Sequence, residues 1–105
     1  MCEVLTVYPK ENTHARLLIG DDENAVYLNG EKCPLTRQEY SLLTELARTP
    51  GDPVSRDKLL KNAWGYAAPG MTRTVDVHIR RLRKKLGETV IATIYRCGYV
   101  LCAEK

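Results

Sequence analysis

The first third of the chain shows short runs of β-branched and apolar residues separated by polar turns, a pattern with a period of about two that predicts strands. The predicted strands are residues 3–8, 15–19, 25–28 and 32–35. Asn29-Gly30 between the last two is typical of a tight hairpin, because both central positions of such a turn require positive φ. Pro34 cannot donate a ladder hydrogen bond, so the fourth strand is expected at a sheet edge.

At Thr36 the period changes to about 3.6 residues, which predicts helices. Thr36 and Glu39 have the spacing of a capping box, so a helix is expected to begin there. The apolar face of this predicted helix consists of Tyr40, Leu43, Leu46 and Ala47, with Leu42 at its margin. Pro50-Gly51 ends the pattern. We interpret this helix as a scaffold without chemistry of its own.

A second helix is predicted after the extended link 52–54, with Ser55 as its N-cap and Gly65 at its end. Its inner side consists of Leu59, Leu60, Ala63 and Trp64. Trp64 is interpreted as a core residue. The following segment, 66–71, contains Pro69-Gly70 and is predicted to be a loop.

Residues 72–86, TRTVDVHIRRLRKKL, predict an amphipathic third helix with two very different faces. The core-facing residues are Val75, Ile79, Leu82 and Leu86. Six Arg or Lys residues accompany a single carboxylate, Asp76, whereas a merely solvated helix normally interleaves Glu with Lys. After Leu86-Gly87, strands are predicted at 90–95 and 99–102, joined by a turn at Arg96-Cys97-Gly98.

The charge distribution points to an anionic partner. The 105 residues carry a net charge of +3, yet segment 54–86 alone holds nine basic and two acidic residues. Such a basic stripe is the electrostatic footprint of nucleic-acid binding, although it is not unique to it. No apolar run reaches the roughly 18 residues that a membrane span needs, and no signal pattern begins the chain, so a cytoplasmic protein is expected.

Other kinds of chemistry find little support in the sequence. The residues show no nucleophile–base pair, phosphate-binding loop or carboxylate dyad, so we expect no enzyme and no cofactor. Four cysteines are scattered singly without a CxxC motif, so reduced thiols are expected rather than disulfides or a metal site. The cysteines are Cys2, Cys33, Cys97 and Cys102.

Four segments give the chain a family resemblance. They are LTRQEYSLLTEL at 35–46, VSRDKLLKNAWG at 54–65, RTVDVHIRRLRKKL at 73–86 and IATIYRCGYVL at 91–101. Together they resemble the DNA-binding effector domains of OmpR/PhoB-type response regulators. The N-terminal third is similar to this family mainly in its strand pattern.

The resemblance implies an α+β fold, a winged helix-turn-helix with an N-terminal four-stranded antiparallel sheet, three helices and a C-terminal β-hairpin wing. A single domain, 1–105, would then comprise the sheet (1–35), a three-helix core (36–86) and the wing (87–105). In this family a receiver domain normally precedes the module. It is absent from this sequence, so the chain is expected to be either a fragment of a longer regulator or a protein that stands alone. Relatives bind tandem half-sites, often as dimers, and contact RNA polymerase through the loop that corresponds to Tyr66, Ala67, Ala68, Pro69, Gly70 and Met71.

The expected contacts with double-stranded DNA fall on the third helix and the wing. Guanidinium groups pair with guanine, lysine neutralises phosphate, and an exposed valine meets a thymine methyl group. The candidates on the helix are Arg73, Thr74, Val77, Arg80, Arg81 and Lys84. Asp76 is expected to orient an arginine, Arg80 or Arg83, and His78 to be a packed, hydrogen-bonded histidine.

The wing departs from the family pattern T-V-R-G-x-G-Y. Tyr95 stands where the family has its minor-groove arginine, and Arg96 stands where it has the turn glycine, so the candidate DNA contacts of the wing are Arg96 and Tyr95. Arg96 either takes over the minor-groove role, since a narrow groove favours an inserted guanidinium, or contacts only phosphate or solvent. Two functions remain open: sequence-specific DNA binding in transcription control, and a protein-interaction winged helix that docks RNA polymerase or a partner domain.

Overall fold

A computed structural model describes residues 3–10, 13–20, 24–65 and 70–104 of the chain. An antiparallel sheet formed by residues from both ends of this range lies against three helices, and a two-stranded hairpin packs beside them. The predicted fold, a winged helix-turn-helix with an N-terminal antiparallel sheet, is confirmed.

The first four strands form the N-terminal sheet. They are β1 (Glu3–Val7), β2 (Ala15–Ile19), β3 (Ala25–Leu28) and β4 (Glu31–Pro34). Each agrees with its predicted range to within one residue at either end. Asn29 (φ 52°) and Gly30 (φ 84°) form the predicted hairpin turn between β3 and β4. As Pro34 indicated, β4 lies at the edge of the sheet.

Helix α1 (Arg37–Ala47) begins with the predicted capping box. The Glu39 amide donates to the Thr36 hydroxyl at 3.2 Å, and the Glu39 carboxylate accepts from the Thr36 amide at 2.9 Å. The prediction for Leu42 is wrong: its side chain is fully buried rather than marginal. The reason is that α1 packs against the other helices and the hairpin together, so its buried arc is wider than one stripe.

Helices α2 (Arg56–Trp64) and α3 (Thr72–Leu86) also follow the sequence signals. The Ser55 hydroxyl caps α2 by accepting from the Lys58 amide at 3.1 Å. Gly65, at φ 85°, ends it in the left-handed conformation. α3 has the predicted bounds, and its first residue follows Met71, which provides no side-chain cap.

The hydrophobic core lies between the N-terminal sheet and the helices. The largest fully buried side chains are Leu5, Leu17, Leu42, Leu43, Leu46, Leu59, Leu60, Ile79, Leu82, Leu86, Ile91 and Leu101. They come from β1, β2, all three helices and the hairpin, so each of these elements is fixed relative to α3. Among the described residues, no helix is long and apolar enough to cross a membrane.

The hairpin, called the wing below, consists of β5 (Ile91–Ile94) and β6 (Gly98–Leu101). The predicted turn is shifted by one residue: Tyr95 lies in the turn rather than in a strand, and Gly98 lies in β6 rather than in the turn. The shift arises because the Cys97 amide closes the turn on the Ile94 carbonyl at 2.9 Å. Gly98 is thereby free to pair with Ile94.

A short seventh strand was not predicted. β7 (Ala103–Glu104) leaves the wing and pairs antiparallel with β1, through Thr6–Glu104 and Val7–Ala103. The N-terminal sheet therefore has five strands in the order β4-β3-β2-β1-β7. This pairing anchors the chain beyond the wing in the sheet that begins the domain.

Candidate nucleic-acid interface

The outer face of α3 is exposed and basic. Arg73, Arg80, Arg81 and Lys84 are all exposed, and Val77 among them is 43% exposed. Thr74, at the edge of this face, is half-buried. The structure therefore brings all six predicted contact residues of the helix to one side of the molecule or its margin.

The inner face of α3 is buried as the periodicity predicted. Val75, Ile79, Leu82 and Leu86 are at most 2% exposed and belong to the core cluster. Apolar contact on one side thus fixes the helix rigidly, while the charged side meets solvent. A rigid helix with a basic outer face is suited to presenting side chains to an anionic surface.

Two of the six basic residues of α3 make contacts with other elements of the domain. Arg83 donates from Nε to the Ile91 carbonyl at 2.9 Å and from Nη2 to the Thr93 hydroxyl at 2.8 Å. Its guanidinium also lies 5.6 Å from the ring centroid of Tyr99. Lys85 donates to the carboxylate of Glu39 on α1 at 2.5 Å. The charged groups of Arg83 and Lys85 therefore bind the wing and α1.

Glu39 is a buried carboxylate, 1% exposed, at the start of α1. Burial alone would raise the pKa of this group, but the hydrogen bonds from Lys85 and Thr36 and the charge of Lys85 outweigh it and lower the pKa. Glu39 is therefore ionised at neutral pH and ties α1 to the last turn of α3.

Asp76 links α3 to both α2 and the wing. Its carboxylate accepts from Arg56 on α2, at 3.0 Å from Nε and 2.5 Å from Nη2, and from the Tyr99 hydroxyl of β6 at 2.7 Å. The expectation that Asp76 orients an arginine is confirmed, but the arginine is Arg56 and neither Arg80 nor Arg83. At about 100° per residue, Asp76 points to the flank of α3 that faces α2 and the wing.

These contacts change the proton affinity of the two partners of Asp76. The hydrogen bond from Arg56 to Asp76 raises the pKa of the guanidinium. Burial, followed by the hydrogen bond to Asp76, raises the pKa of Tyr99 to about 12. The Arg56 guanidinium therefore stays charged and the Tyr99 phenol stays neutral across the physiological pH range.

His78 is a packed, hydrogen-bonded histidine, as predicted. Its Nδ1 lies 2.8 Å from the carbonyl oxygen of Thr74. The ring meets Trp64 edge-on, with centroids 5.0 Å apart. Trp64 is half-buried and packs against the core, so the two rings join the end of α2 to α3.

The wing tip presents an aromatic residue and an arginine to solvent. Tyr95 is 80% exposed, and the Arg96 guanidinium lies over its ring, 5.2 Å from the centroid. Arg96 has φ 61°, a left-handed conformation that costs a residue other than glycine about 1–2 kcal/mol. A cleft separates this tip from the first turns of α2 and α3, with Ser55, Asp57 and Thr72 in its lining.

The predicted polymerase-contact loop lies largely outside the described residues. Tyr66, Ala67, Ala68 and Pro69 fall in the segment that the structure does not describe. Gly70 is exposed with φ 82°. Met71 is half-buried against the core, so its side chain contributes to packing.

Sequence reasoning missed the residues that hold the wing in place. Arg56 was not singled out, Tyr99 received no structural role, and Arg83 was expected beside Asp76 rather than on the wing. Their contacts with Asp76 and β5 join residues 8 to 23 positions apart. No local signal marks such pairs, although an acidic residue alone on a basic helix was an indication that it needed a partner.

Comparison with known proteins identifies the family of this chain. The family described as "Transcriptional regulatory protein, C terminal" matches residues 30–101. The transcriptional regulatory protein CseB of Streptomyces avermitilis is 43% identical over 91 residues, which span 87% of this chain and 39% of that protein. The transcriptional regulatory protein ResD of Bacillus subtilis is 41% identical, over 81% of this chain and 38% of that protein.

The fold is likewise shared with solved DNA-binding domains. The structure of the Klebsiella pneumoniae RstA DNA-binding domain in complex with the RstA box superposes with a TM-score of 0.73 at 37% identity. The match covers 91% of this chain and 95% of that domain. The chain spans about two-fifths of the length of the curated regulators above. It belongs to the C-terminal effector-domain family of OmpR/PhoB-type transcriptional response regulators.

Proposed function

We propose that this domain binds double-stranded DNA in a sequence-specific manner and thereby regulates transcription. The observation that carries the proposal is the outer face of α3, where four exposed basic side chains surround Val77. The one carboxylate of the helix is turned away from this face and neutralised by Arg56. The face therefore offers a continuous positive surface on a rigid helix, which suits the major groove.

Phosphate contacts supply most of the affinity in this proposal. Lys84 and the outward arginines neutralise backbone phosphates and release condensed counterions, which makes binding salt-dependent.

Sequence is read by the side chains that reach base edges. Arg73, Arg80 and Arg81 have the donor geometry for guanine. The Thr74 hydroxyl can donate to or accept from a base edge, and Val77 meets a thymine methyl group. The wing supplies the minor-groove contact through Arg96, held over the ring of Tyr95. The stacked guanidinium is partly ordered before binding, which lowers the entropic cost of insertion.

The relatives support this function. The RstA domain was solved in complex with the RstA box, and CseB and ResD are transcriptional regulatory proteins. The activity proposed here is binding, without catalysis or a cofactor. It places the domain in the cytoplasm, where chromosomal DNA is accessible.

Assembly on DNA is a further part of the proposal. Two copies bind tandem half-sites as a dimer, spaced by about one helical turn so that they lie on one face of the duplex. The loop Tyr66–Met71 contacts RNA polymerase from such a complex. In the alternative function, the winged helix docks RNA polymerase or a partner domain without reading DNA, and the DNA-bound RstA relative favours DNA binding over that alternative.

Selection from a pool of random duplexes tests the proposal directly. We expect a recurrent motif to be enriched, with an affinity that falls steeply as salt is raised. A shuffled duplex of the same composition is the control for non-specific binding. Enrichment of no motif, or equal affinity for the motif and its shuffled control, would refute sequence-specific binding and leave the protein-docking alternative.

A further inference from the structure

Asp76 stands at the junction of the three elements that surround the wing cleft. Its carboxylate, 34% exposed, accepts hydrogen bonds from Nε and Nη2 of Arg56 on α2 and from the Tyr99 hydroxyl of β6. A carboxylate on a helix that meets polyphosphate would repel it. Pairing with Arg56 cancels that charge, so the contact to the wing is kept without electrostatic repulsion of DNA.

Tyr99 is the point at which the wing is held. Its backbone exchanges two hydrogen bonds with Val54, at 2.8 and 3.0 Å, and its hydroxyl donates to Asp76. Arg83 fixes the neighbouring strand through Ile91 and lies over the Tyr99 ring. The base of the wing is thus attached to α3 from both strands, whereas the tip at Tyr95 is free in solvent.

We propose that Asp76 is a positioning residue that fixes the wing against α3, so that the helix and the wing tip reach one duplex in register. The inference rests on the proposed DNA binding, but its structural half concerns the free domain. Asp76 itself does not contact DNA. It contributes to affinity because it fixes the wing before DNA binds, which lowers the entropic cost of binding.

The direction of the effect separates positioning from simple electrostatics. Removing a negative charge beside a DNA-binding surface favours binding of a polyanion. Asp76→Ala removes such a charge and also releases Arg56, so electrostatics alone predicts tighter binding. Loss of a fixed wing predicts weaker binding. Asp57, exposed on α2 and lining the same cleft, provides the matched control, since Asp57→Ala removes the same charge without touching Tyr99.

Amide hydrogen exchange in the DNA-free domain tests the structural half. In Asp76→Ala we expect exchange at the wing amides, including Tyr99, to accelerate about tenfold or more, with α1 amides unchanged. Tyr99→Phe keeps the ring and removes only the hydroxyl, so it should show the same pattern to a smaller extent. If Asp76→Ala does not fold, the exchange rates of Tyr99→Phe test whether the hydrogen bond to Asp76 fixes the wing. Equal acceleration in the wing and α1, or none in the wing, would overturn the proposal.

Affinity for the selected duplex tests the functional half. We expect Asp76→Ala to bind about tenfold more weakly than wild type, and Asp57→Ala to bind at least as tightly as wild type. Asp76→Ala that binds as tightly as Asp57→Ala would overturn the role in DNA binding. Wild-type protein that binds no duplex would refute the proposed function, while the exchange experiment would still decide whether Asp76 fixes the wing.

Discussion

The carboxylate of Glu39 lies 2.5 Å from the ammonium nitrogen of Lys85, so the cap of α1 is joined to the last turn of α3. Glu39 thereby caps the N-terminus of α1 and also binds the last turn of α3. The pair is asymmetric, because Glu39 is 1% exposed and the Lys85 side chain 36%. Removing Lys85 would leave an ionised group buried, which is costly.

Glu39→Gln is expected to lower the free energy of unfolding by about 1–2 kcal/mol at neutral pH, since a charged hydrogen bond is lost. The folded-state pKa of Glu39 is lowered, so its contribution is fully present above the unfolded value near 4.5 and is lost as pH falls through the folded pKa. Urea denaturation of both proteins between neutral pH and about pH 3 measures this.

The control for that experiment is Glu88→Gln, in the exposed turn after α3. It should change stability by no more than about 0.5 kcal/mol. A deficit of Glu39→Gln that stays constant down to acid pH would show that the charge of Glu39 does not stabilise the fold.

Gly98→Ala should be strongly destabilising, because two effects combine. Gly98 has φ 140°, and an added Cβ would lie 2.0 Å from the Val54 carbonyl oxygen. We expect a loss of roughly 3 kcal/mol or more from backbone strain together with overpacking. Thermal or urea unfolding measures it.

Gly51→Ala is the matched comparison, since Gly51 has φ 84° but nothing within 4 Å of an added Cβ. Only the conformational cost remains there, about 1–2 kcal/mol. Equal losses at the two positions would contradict the close approach of Val54 to the wing.

Arg96→Gly should stabilise the domain and weaken DNA binding together. Glycine relieves the positive φ of 61° at the wing tip, a gain of about 1 kcal/mol. Loss of the guanidinium should cost about 1–3 kcal/mol of binding. Thermal unfolding and duplex titration measure the two effects separately.

Arg96→Ala separates the two contributions, because it loses the guanidinium and retains the backbone strain. It should bind DNA as weakly as Arg96→Gly without the gain in stability. The double substitution Tyr95→Arg with Arg96→Gly restores the family pattern and should recover binding. Full binding by both single variants would exclude a contact between Arg96 and DNA.

The elements of the fold followed from local signals in the sequence. The bounds of α3 followed from a strong 3.6-residue period, and Thr36 and Ser55 marked helix starts because their hydroxyls satisfy nearby amides. β7 was missed because two residues, Ala103 and Glu104, carry no periodicity. Their strand exists only through pairing with β1, which lies at the opposite end of the chain.

The sequence predicted the outer face of the candidate interface, but it did not predict the contacts that hold the wing against α3. Charge and periodicity placed Arg80 and Arg81 outward because the helix period fixes direction. The same signals did not predict that Arg83 would bind the wing or that Asp76 would pair with Arg56. Those choices depend on which elements pack beside α3, and tertiary packing is not encoded in any short segment.

Equilibrium titration of the selected duplex with three arginine variants shows whether the outer face of α3 reads DNA. Arg80→Ala and Arg81→Ala are expected to weaken binding by about 1–3 kcal/mol each and to lessen its salt dependence. Arg16→Ala removes the same charge from the outer face of the N-terminal sheet and should bind like wild type. If Arg80→Ala and Arg81→Ala both bind as tightly as Arg16→Ala, the outer face of α3 does not read DNA.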